Sequence, residues 1–489
     1  MEKNQQMTTR ELVFSFLWLT VAIVPLVTLL LNFIFLRWDW GLMDDMAILN
    51  SGSTMVDRFQ GYGHALMEWG VLRFTFVAHS SAVYTLFENN PQLLYIFKLF
   101  EICMVLLIWG FAAFRITGRK ISIVLVPAIT LSFHYFYDAF FYLSSHEFLG
   151  LFFVGCALHF FLNSIDVGGA RRFRWGAWVM TVLFLLCAFG AKEPFVSCGV
   201  ALGMGYLYLS WEKRGVGISR SMLLAGSILI LITVFYVLWL LQSVKSGYSS
   251  RYDMFSIPLL SNNFMSWMRK DFLNHSVWVL GAFFIIWKTG IPEIKKSFMN
   301  SWELRFGVVI ALLLYGGYFL ILLPWSTITY YATPLGLFFA FLVTILISRH
   351  LFNLRDRSLA IMVIVFLIVN QFVCQYALRR EAGYMSDTIQ LREWFKKNHL
   401  AHRLGNDDVI FANAMEASRA IPLTIERKWQ IHLEPFRYSL DPEAPVENRK
   451  ANFYLYSPRF ATMDLNQLAN WELVFQSQNW VMYKRGKSQ

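Results

Sequence analysis

Two adjacent carboxylates, Asp44 and Asp45, stand in the stretch WDWGLMDDMAILN at residues 38–50. They follow directly on an apolar run, residues 12–36, of about the 20 or more residues needed to cross a bilayer. Acids at the end of a span cost little, so a solvated loop pair is one reading. The neighbours Trp38, Trp40, Leu42, Met43 and Met46 argue against free solvation. A carboxylate held in place there could take the proton from an attacking hydroxyl. Ionisable residues recur at the ends of later apolar runs. DAFFYLSSHEFLG (138–150) closes one run with Asp138 and opens the next with His146 and Glu147. CAFGAKEPF (187–195) interrupts another with Lys192, Glu193 and Pro194. Charged groups at membrane depth face a cavity or one another. Lys192 and Glu193 are therefore candidates for a site, or for a structural pair at a helix start where Pro194 suits an early position. LLPWSTITYYATPLG (322–336) sets Tyr330 and Tyr331 beside a late run, where an interfacial aromatic belt is the competing reading.

The elements that must position these residues are membrane helices. The chain has 489 residues, 56% hydrophobic and 17% aromatic, with 15% charged. Soluble domains carry roughly 25% charged residues. The net charge of +11 is spread in short clusters between apolar runs, which excludes a nucleic-acid face. Span-length runs fall at 12–36, 92–114, 120–137, 147–165, 175–191, 194–211, 221–243, 275–290, 306–323, 331–348 and 358–378. That makes an α-helical polytopic membrane protein of about eleven spans, with a retained first helix. Alternate connections carry the basic residues: Lys3 and Arg10; Arg115, Arg119 and Lys120; Arg171, Arg172 and Arg174; Lys213, Arg214 and Arg220; Lys295, Lys296 and Arg305; Arg349, Arg355 and Arg357. The positive-inside rule makes these cytoplasmic, so the N-terminus is expected inside and the C-terminus outside.

Two external loops follow from that orientation. One, about residues 37–91, contains GHALMEWGVLRFTFVAHS, an amphipathic piece with His64, Glu68 and Arg73 that should lie along the membrane surface. The other, residues 244–276, carries Arg251, Arg269 and Lys270 on the side where basic residues are scarce. After residue 378 the composition turns soluble. SDTIQLREWFKKNHL and ASRAIPLTIE read as helices, DVIFAN and NFYLYS as strands, and WELVFQSQNWVMYKR as a hairpin. The expected division is a membrane domain, residues 1–378, and a small external α/β domain, residues 379–489. The five cysteines lie inside apolar runs and have no zinc or disulfide spacing.

The order of these features resembles the GT-C superfamily of integral-membrane glycosyltransferases, which includes protein O-mannosyltransferases, lipid A aminoarabinose transferases and serotype-converting O-antigen glucosyltransferases. The matching elements are the Asp-Asp of MDDMAILN after the first span, Glu147 opening a later span, the Lys-Glu of AKEPF, and the aromatic-proline element TYYATPLG. Thr329 stands where such families often have Arg, a departure that bears on the phosphate-binding role of that turn. The resemblance implies a polyprenyl-phosphate-linked sugar as donor and a glycan or glycolipid acceptor of the bacterial cell envelope, of O-antigen or lipopolysaccharide type. It further implies transfer at the outer face of the inner membrane. It assigns Asp44 as general base, Asp45 as its partner or substitute, and Glu147 with His146 to the acceptor or to holding the aspartate. Lys192, Arg251, Arg269 and Tyr331 would meet the donor phosphate, with Asp138, Glu193 and His64 in support. No ligand spacing demands a metal, although a divalent ion could bridge Asp44 or Asp45 with Glu147. A transporter or flippase, an O-antigen ligase or polymerase, and a non-catalytic scaffold are the competing classes. A transporter would be expected to show matched interrupted helices in two halves, which the sequence lacks.

Overall fold

A computed structural model describes residues 9–36, 38, 48–49, 51–68, 73–88, 90–141, 146–165, 173–212, 218–243, 257–323, 329–400, 409–412, 432–433, 453–456 and 471–485. Asp44, Asp45 and Arg251, and the stretch ASRAIPLTIE, lie outside these residues.

The described chain is dominated by fifteen helices: α1 (Thr9–Phe35), α2 (Met55–Glu68), α3 (Phe74–Leu86), α4 (Pro91–Thr117), α5 (Ser122–Thr130), α6 (His134–Phe141), α7 (Glu147–Ser164), α8 (Trp175–Phe189), α9 (Val196–Glu212), α10 (Ile218–Ser243), α11 (Ile257–Thr289), α12 (Ile291–Asn300), α13 (Trp302–Leu322), α14 (Thr333–Ile347) and α15 (Asp356–Leu400). Six of the described helices contain a stretch long and apolar enough to cross a bilayer: α1, α4, α7, α10, α13 and α15. The chain is therefore a helical, multi-pass membrane protein. Shorter apolar helices at Trp175–Phe189, Val279–Thr289 and Thr333–Ile347 pack among them.

Local chemistry sets the ends and breaks. α4 starts at Asn90, whose side chain accepts the Leu93 amide, with Pro91 in the first turn, and it stops at Gly118 in the left-handed region (φ 69°). The expected single span at 120–137 is instead two helices, α5 and α6, bent by 77°. Pro127 weakens the ladder of α5, and the Ser132 hydroxyl and the Tyr137 hydroxyl then bond the Ile129 and Leu131 carbonyls at the corner. The expected loop at 244–276 is helical from Ile257 and runs without a break into the following apolar segment. Leu260, Phe264 and Met268 recur there at helical spacing, and polar residues between them do not interrupt a helix. The amphipathic piece of the first long connection divides into α2 and α3.

Asn370 ties three helices together. Pro25 has no N–H to give the Val21 carbonyl, and the buried Asn370 amide donates to that carbonyl (3.3 Å) and to the Ala128 carbonyl at the end of α5 (2.8 Å). At one end of the bundle sit the pairs Arg10–Asp356 (2.6 Å), Arg119–Glu11 (3.5 Å) and Arg305–Glu212, with Arg349 donating to the Thr117 carbonyl (3.0 Å). These residues all come from the basic set of connections. Phe33, Trp38, Tyr95, Phe140 and Phe141 form an aromatic cluster at the other end, with Phe33 stacked on Tyr95 (5.1 Å) and Trp38 on Phe141 (5.4 Å). Trp38 and Ile48, which flank the residues that carry Asp44 and Asp45, are both buried.

α15 is one helix of 45 residues, and it continues through residue 378, where the apolar composition ends. Beyond it, β1 (Val409–Ala412), β2 (His432–Leu433), β3 (Phe453–Tyr456), β4 (Trp471–Gln476) and β5 (Val481–Arg485) form a five-stranded sheet of order β2-β1-β3-β5-β4. β2, β1 and β3 are parallel, and β5 and β4 add antiparallel. The β4–β5 turn docks on α15. Asp387 accepts from the Asn479 amides (2.8 and 2.7 Å), and the indole of Trp480 donates to Thr388 (3.1 Å).

Candidate functional site

The break between α8 and α9 builds the site. α8 ends at Gly190, and its carbonyl accepts from the Thr75 amide (3.0 Å) and the Phe76 amide (3.1 Å). These amides belong to the first turn of α3, which has no partners for them within its own helix. A free carbonyl at one helix end thus caps the free amides at another. A side chain at 190 would collide with the Phe74 ring and Thr75, so the approach requires glycine. The chain then turns through Ala191 and Lys192 into a short 3₁₀ turn, Glu193–Phe195, that leads into α9.

This turn aims Lys192 inward. Its ammonium pairs with Glu147, the first residue of α7, and lies 3.5 Å from the centre of the Tyr331 ring. Lys192 is 3% exposed and Glu147 is 0% exposed. Burial pushes the lysine down to about 8, against the opposing pull of Glu147, and the Arg73 charge adds to the depression. Glu147 at the N-terminus of α7 is also favoured by the helix dipole. Its second oxygen, Oε2, is buried without a hydrogen-bond partner among the described residues.

Arg73, immediately before α3, joins the two halves of the cluster. Its guanidinium grips both oxygens of Glu193 (2.8–3.1 Å) and reaches His146 Nε2 at 2.8 Å. A guanidinium only donates, so Nε2 accepts and the ring proton sits on Nδ1. The imidazole packs against Phe76, with ring centres 3.7 Å apart. Tyr331 belongs to the short 3₁₀ turn Thr329–Ala332 before α14, and Thr333 fastens that turn to α6 by donating to the Tyr135 carbonyl (3.0 Å). Tyr318 on α13 is buried beside Phe195, and its hydroxyl has no hydrogen-bond partner among the described residues.

Five of the residues singled out by sequence therefore meet: His146, Glu147, Lys192, Glu193 and Tyr331. Asp138 pairs with Arg380, which also bonds Glu381 at 2.6 Å, so its partner comes from α15. His64 is exposed on α2. Arg269 falls on α11. Arg73 and Lys98 were not singled out. Lys98 is buried on α4, 5.8 Å from the centre of the Phe148 ring next to Glu147. A lysine inside an apolar run is the signal that could have found it. The cluster lies at the end of the bundle opposite the Arg10–Asp356 and Arg305–Glu212 pairs, because α7, α9 and α14 start at the cluster and run toward those pairs.

Chemically this is a charge-balanced site that can receive an anion. Lys192 offers an ammonium and Arg73 a fixed fork, while the electron-rich face of Tyr331 steadies that ammonium. A cation fits poorly at Glu147, because the Lys192 ammonium already takes one of its oxygens. No group of three metal-binding side chains occurs among the described residues.

The fold and the site together define a helical multi-pass membrane protein with a buried, ion-paired site at one end of its bundle. No protein-family model and no curated protein matches the chain. Among solved structures it is similar to the crystal structure of ArnT from Cupriavidus metallidurans bound to undecaprenyl phosphate, at 13% identity and a TM-score of 0.45, over 99% of each chain.

Proposed function

We propose that this protein is a glycosyltransferase that moves a sugar from a polyprenyl-phosphate-linked donor to an acceptor hydroxyl on a cell-envelope glycan, at the outer face of the bacterial inner membrane. The observation that carries the reading is the junction of Lys192, Glu147 and Tyr331, with Arg73, His146 and Glu193 beside it, at the end of the bundle away from the basic connections. The proposal includes about eleven spans, an external C-terminus, and the division into residues 1–378 and 379–489.

In the proposed reaction the acceptor oxygen bonds to the anomeric carbon as the bond from that carbon to the lipid phosphate breaks. The electron pair leaves with the phosphate, and a carboxylate takes the acceptor proton. One displacement with one base inverts the sugar carbon. Asp44 is the base and Asp45 its partner. Lys192 and Tyr331, with Arg251 and Arg269, meet the departing phosphate, which needs charge stabilisation more than a proton. Glu147 keeps the buried Lys192 charged until phosphate arrives, and Arg73 fixes His146 and Glu193 around the acceptor path. No step runs through a metal.

The test is the mass of the surface glycan from cells making the wild-type protein, against Asp44→Asn at equal membrane abundance. A sugar added by the wild type and absent in the variant supports the reading. A sugar added by both removes Asp44 from the role of base. A transporter or flippase is the second reading, favoured by the 77° break between α5 and α6, where α6 is fastened at Tyr135 to Thr333 after the Tyr331 turn. It predicts no added sugar from the wild-type protein.

A further inference from the structure

We infer that the groove between α1 and α15 holds one anionic glycerophospholipid, with its phosphate at Arg379 and an acyl chain along Val24, Leu367, Ile368 and Phe372. The groove has a volume of about 580 Å³ and is apolar along most of its length, with Gln375 and Arg379 at one end. It lies on the flank of the bundle: Ile368 and Phe372 are 62% and 71% exposed. Such faces in a membrane protein meet lipid, not water.

Three observations select the occupant. The first is charge. Arg379 and Arg380 are adjacent at the site end of α15, where the positive-inside rule disfavours basic residues. Arg380 is accounted for by Asp138 and Glu381. Arg379 is exposed and has no ion pair among the described residues, so its charge faces the headgroup region. The second is depth. Tyr376 lines the groove one turn before Arg379 and is 56% exposed, as an interfacial aromatic would be. In this arrangement Arg379, one turn further, stands at phosphate level. The third is length. From Leu367 to Arg379 the helix rises ~18 Å, close to one leaflet, about half of the ~30 Å hydrocarbon core. A single acyl chain fills that span, whereas a polyprenyl chain is far longer. Gln371 is held by the Thr28 hydroxyl (3.1 Å) and Cys374 packs on the Pro25 carbonyl (3.6 Å), so the floor between the two helices is closed. The site is independent of the transfer reaction proposed above.

The test uses the full-length protein, stripped of lipid in detergent and mixed with dimyristoylphosphatidylglycerol or dimyristoylphosphatidylcholine, with bound lipid counted by native mass spectrometry. The wild type should retain one phosphatidylglycerol with about fivefold preference over phosphatidylcholine, the worth of one basic residue at a membrane surface. Arg379→Gln should abolish the preference, and Ile368→Trp, filling the groove from an exposed position, should lower retention of both lipids. Thermal unfolding verifies that each variant is folded. Equal retention of the two lipids by the wild type overturns the inference, as does an unchanged preference in Arg379→Gln. Displacement of phosphatidylglycerol by an equimolar amount of undecaprenyl phosphate, sensitive to Ile368→Trp, also overturns it, because the occupant would then be a polyprenyl lipid.

Discussion

Changing Lys192 to Met and Glu147 to Gln, singly and together, isolates the interaction at the centre of the site. The two side chains are 3% and 0% exposed, so neither can turn to water when its partner is removed. Removing one partner of a buried pair costs about 3–5 kcal/mol, whereas replacing both by neutral groups of similar volume is often near neutral. The lysine gives an independent scale. Its descent from 10.5 to about 8 corresponds to roughly 3 kcal/mol of disfavour for the charged form, even with Glu147 present. In Glu147→Gln the ammonium loses its main counter-charge and gives up its proton more readily than in the native protein, which limits the loss to about 3–5 kcal/mol. The double variant should cost only about 1–2 kcal/mol, so the coupling energy, the two single costs less that of the double, should be about 5–8 kcal/mol. Unfolding free energies in mixed detergent micelles measure all four proteins. Single costs that add to within ~0.5 kcal/mol would refute the reasoning, since the two charges would then not sense each other.

The same pair sets a pH dependence. Above pH about 8 the folded lysine is neutral, so affinity for a polyprenyl phosphate should fall there, and Lys192→Arg should hold it to higher pH. Stability moves the other way. The unfolded lysine keeps its proton to near 10.5 and therefore binds more protons between the two values, so the contribution of this group to stability rises with pH across that window.

Two further changes test the frame around the site. Arg73→Lys keeps the charge but cannot span both Glu193 oxygens and His146, and should cost about 1–2 kcal/mol of stability in thermal unfolding; a variant as stable as wild type would mean that the fork holds nothing. Asn370→Leu bares the Val21 and Ala128 carbonyls and should cost about 2–3 kcal/mol. Adding Pro25→Ala, which supplies an amide for Val21, should return about 1 kcal/mol, and no recovery would place the importance of Asn370 elsewhere.

The membrane character and the placing of most helices were legible because bilayer length and hydropathy act locally. So were His146, Glu147, Lys192, Glu193 and Tyr331, since ionisable or aromatic groups at span ends must find partners. Who pairs with whom was not legible. The sequence places Glu147 with the acceptor or the aspartate and Lys192 with the donor phosphate, and their pairing across 45 positions comes from the fold alone. Arg73 looked like one charge in an amphipathic stretch, and only the docking of α3 on the Gly190 carbonyl brings it to Glu193. The corner between α5 and α6 was hidden because hydropathy is blind to direction: an apolar run reads the same straight or bent. The start of α11 was missed because its polar residues resembled a loop, while helical spacing survived beneath them.

The length of α15 makes it a shaft with a fixed angular phase. At 1.5 Å and 100° per residue its 45 residues extend about 68 Å, more than twice the ~30 Å of hydrocarbon. One part of it grips Arg10, α1 and α5, while Asp387 and Thr388 further along carry the β4–β5 turn. Torque applied at either end is transmitted to the other, because no break absorbs it. Adding or deleting one residue between Glu381 and Asp387 would swing the docking face for Trp480 by about 100° around the shaft while shifting it only about 1.5 Å along it. The sheet is thus indexed to the bundle by rotation far more strictly than by distance.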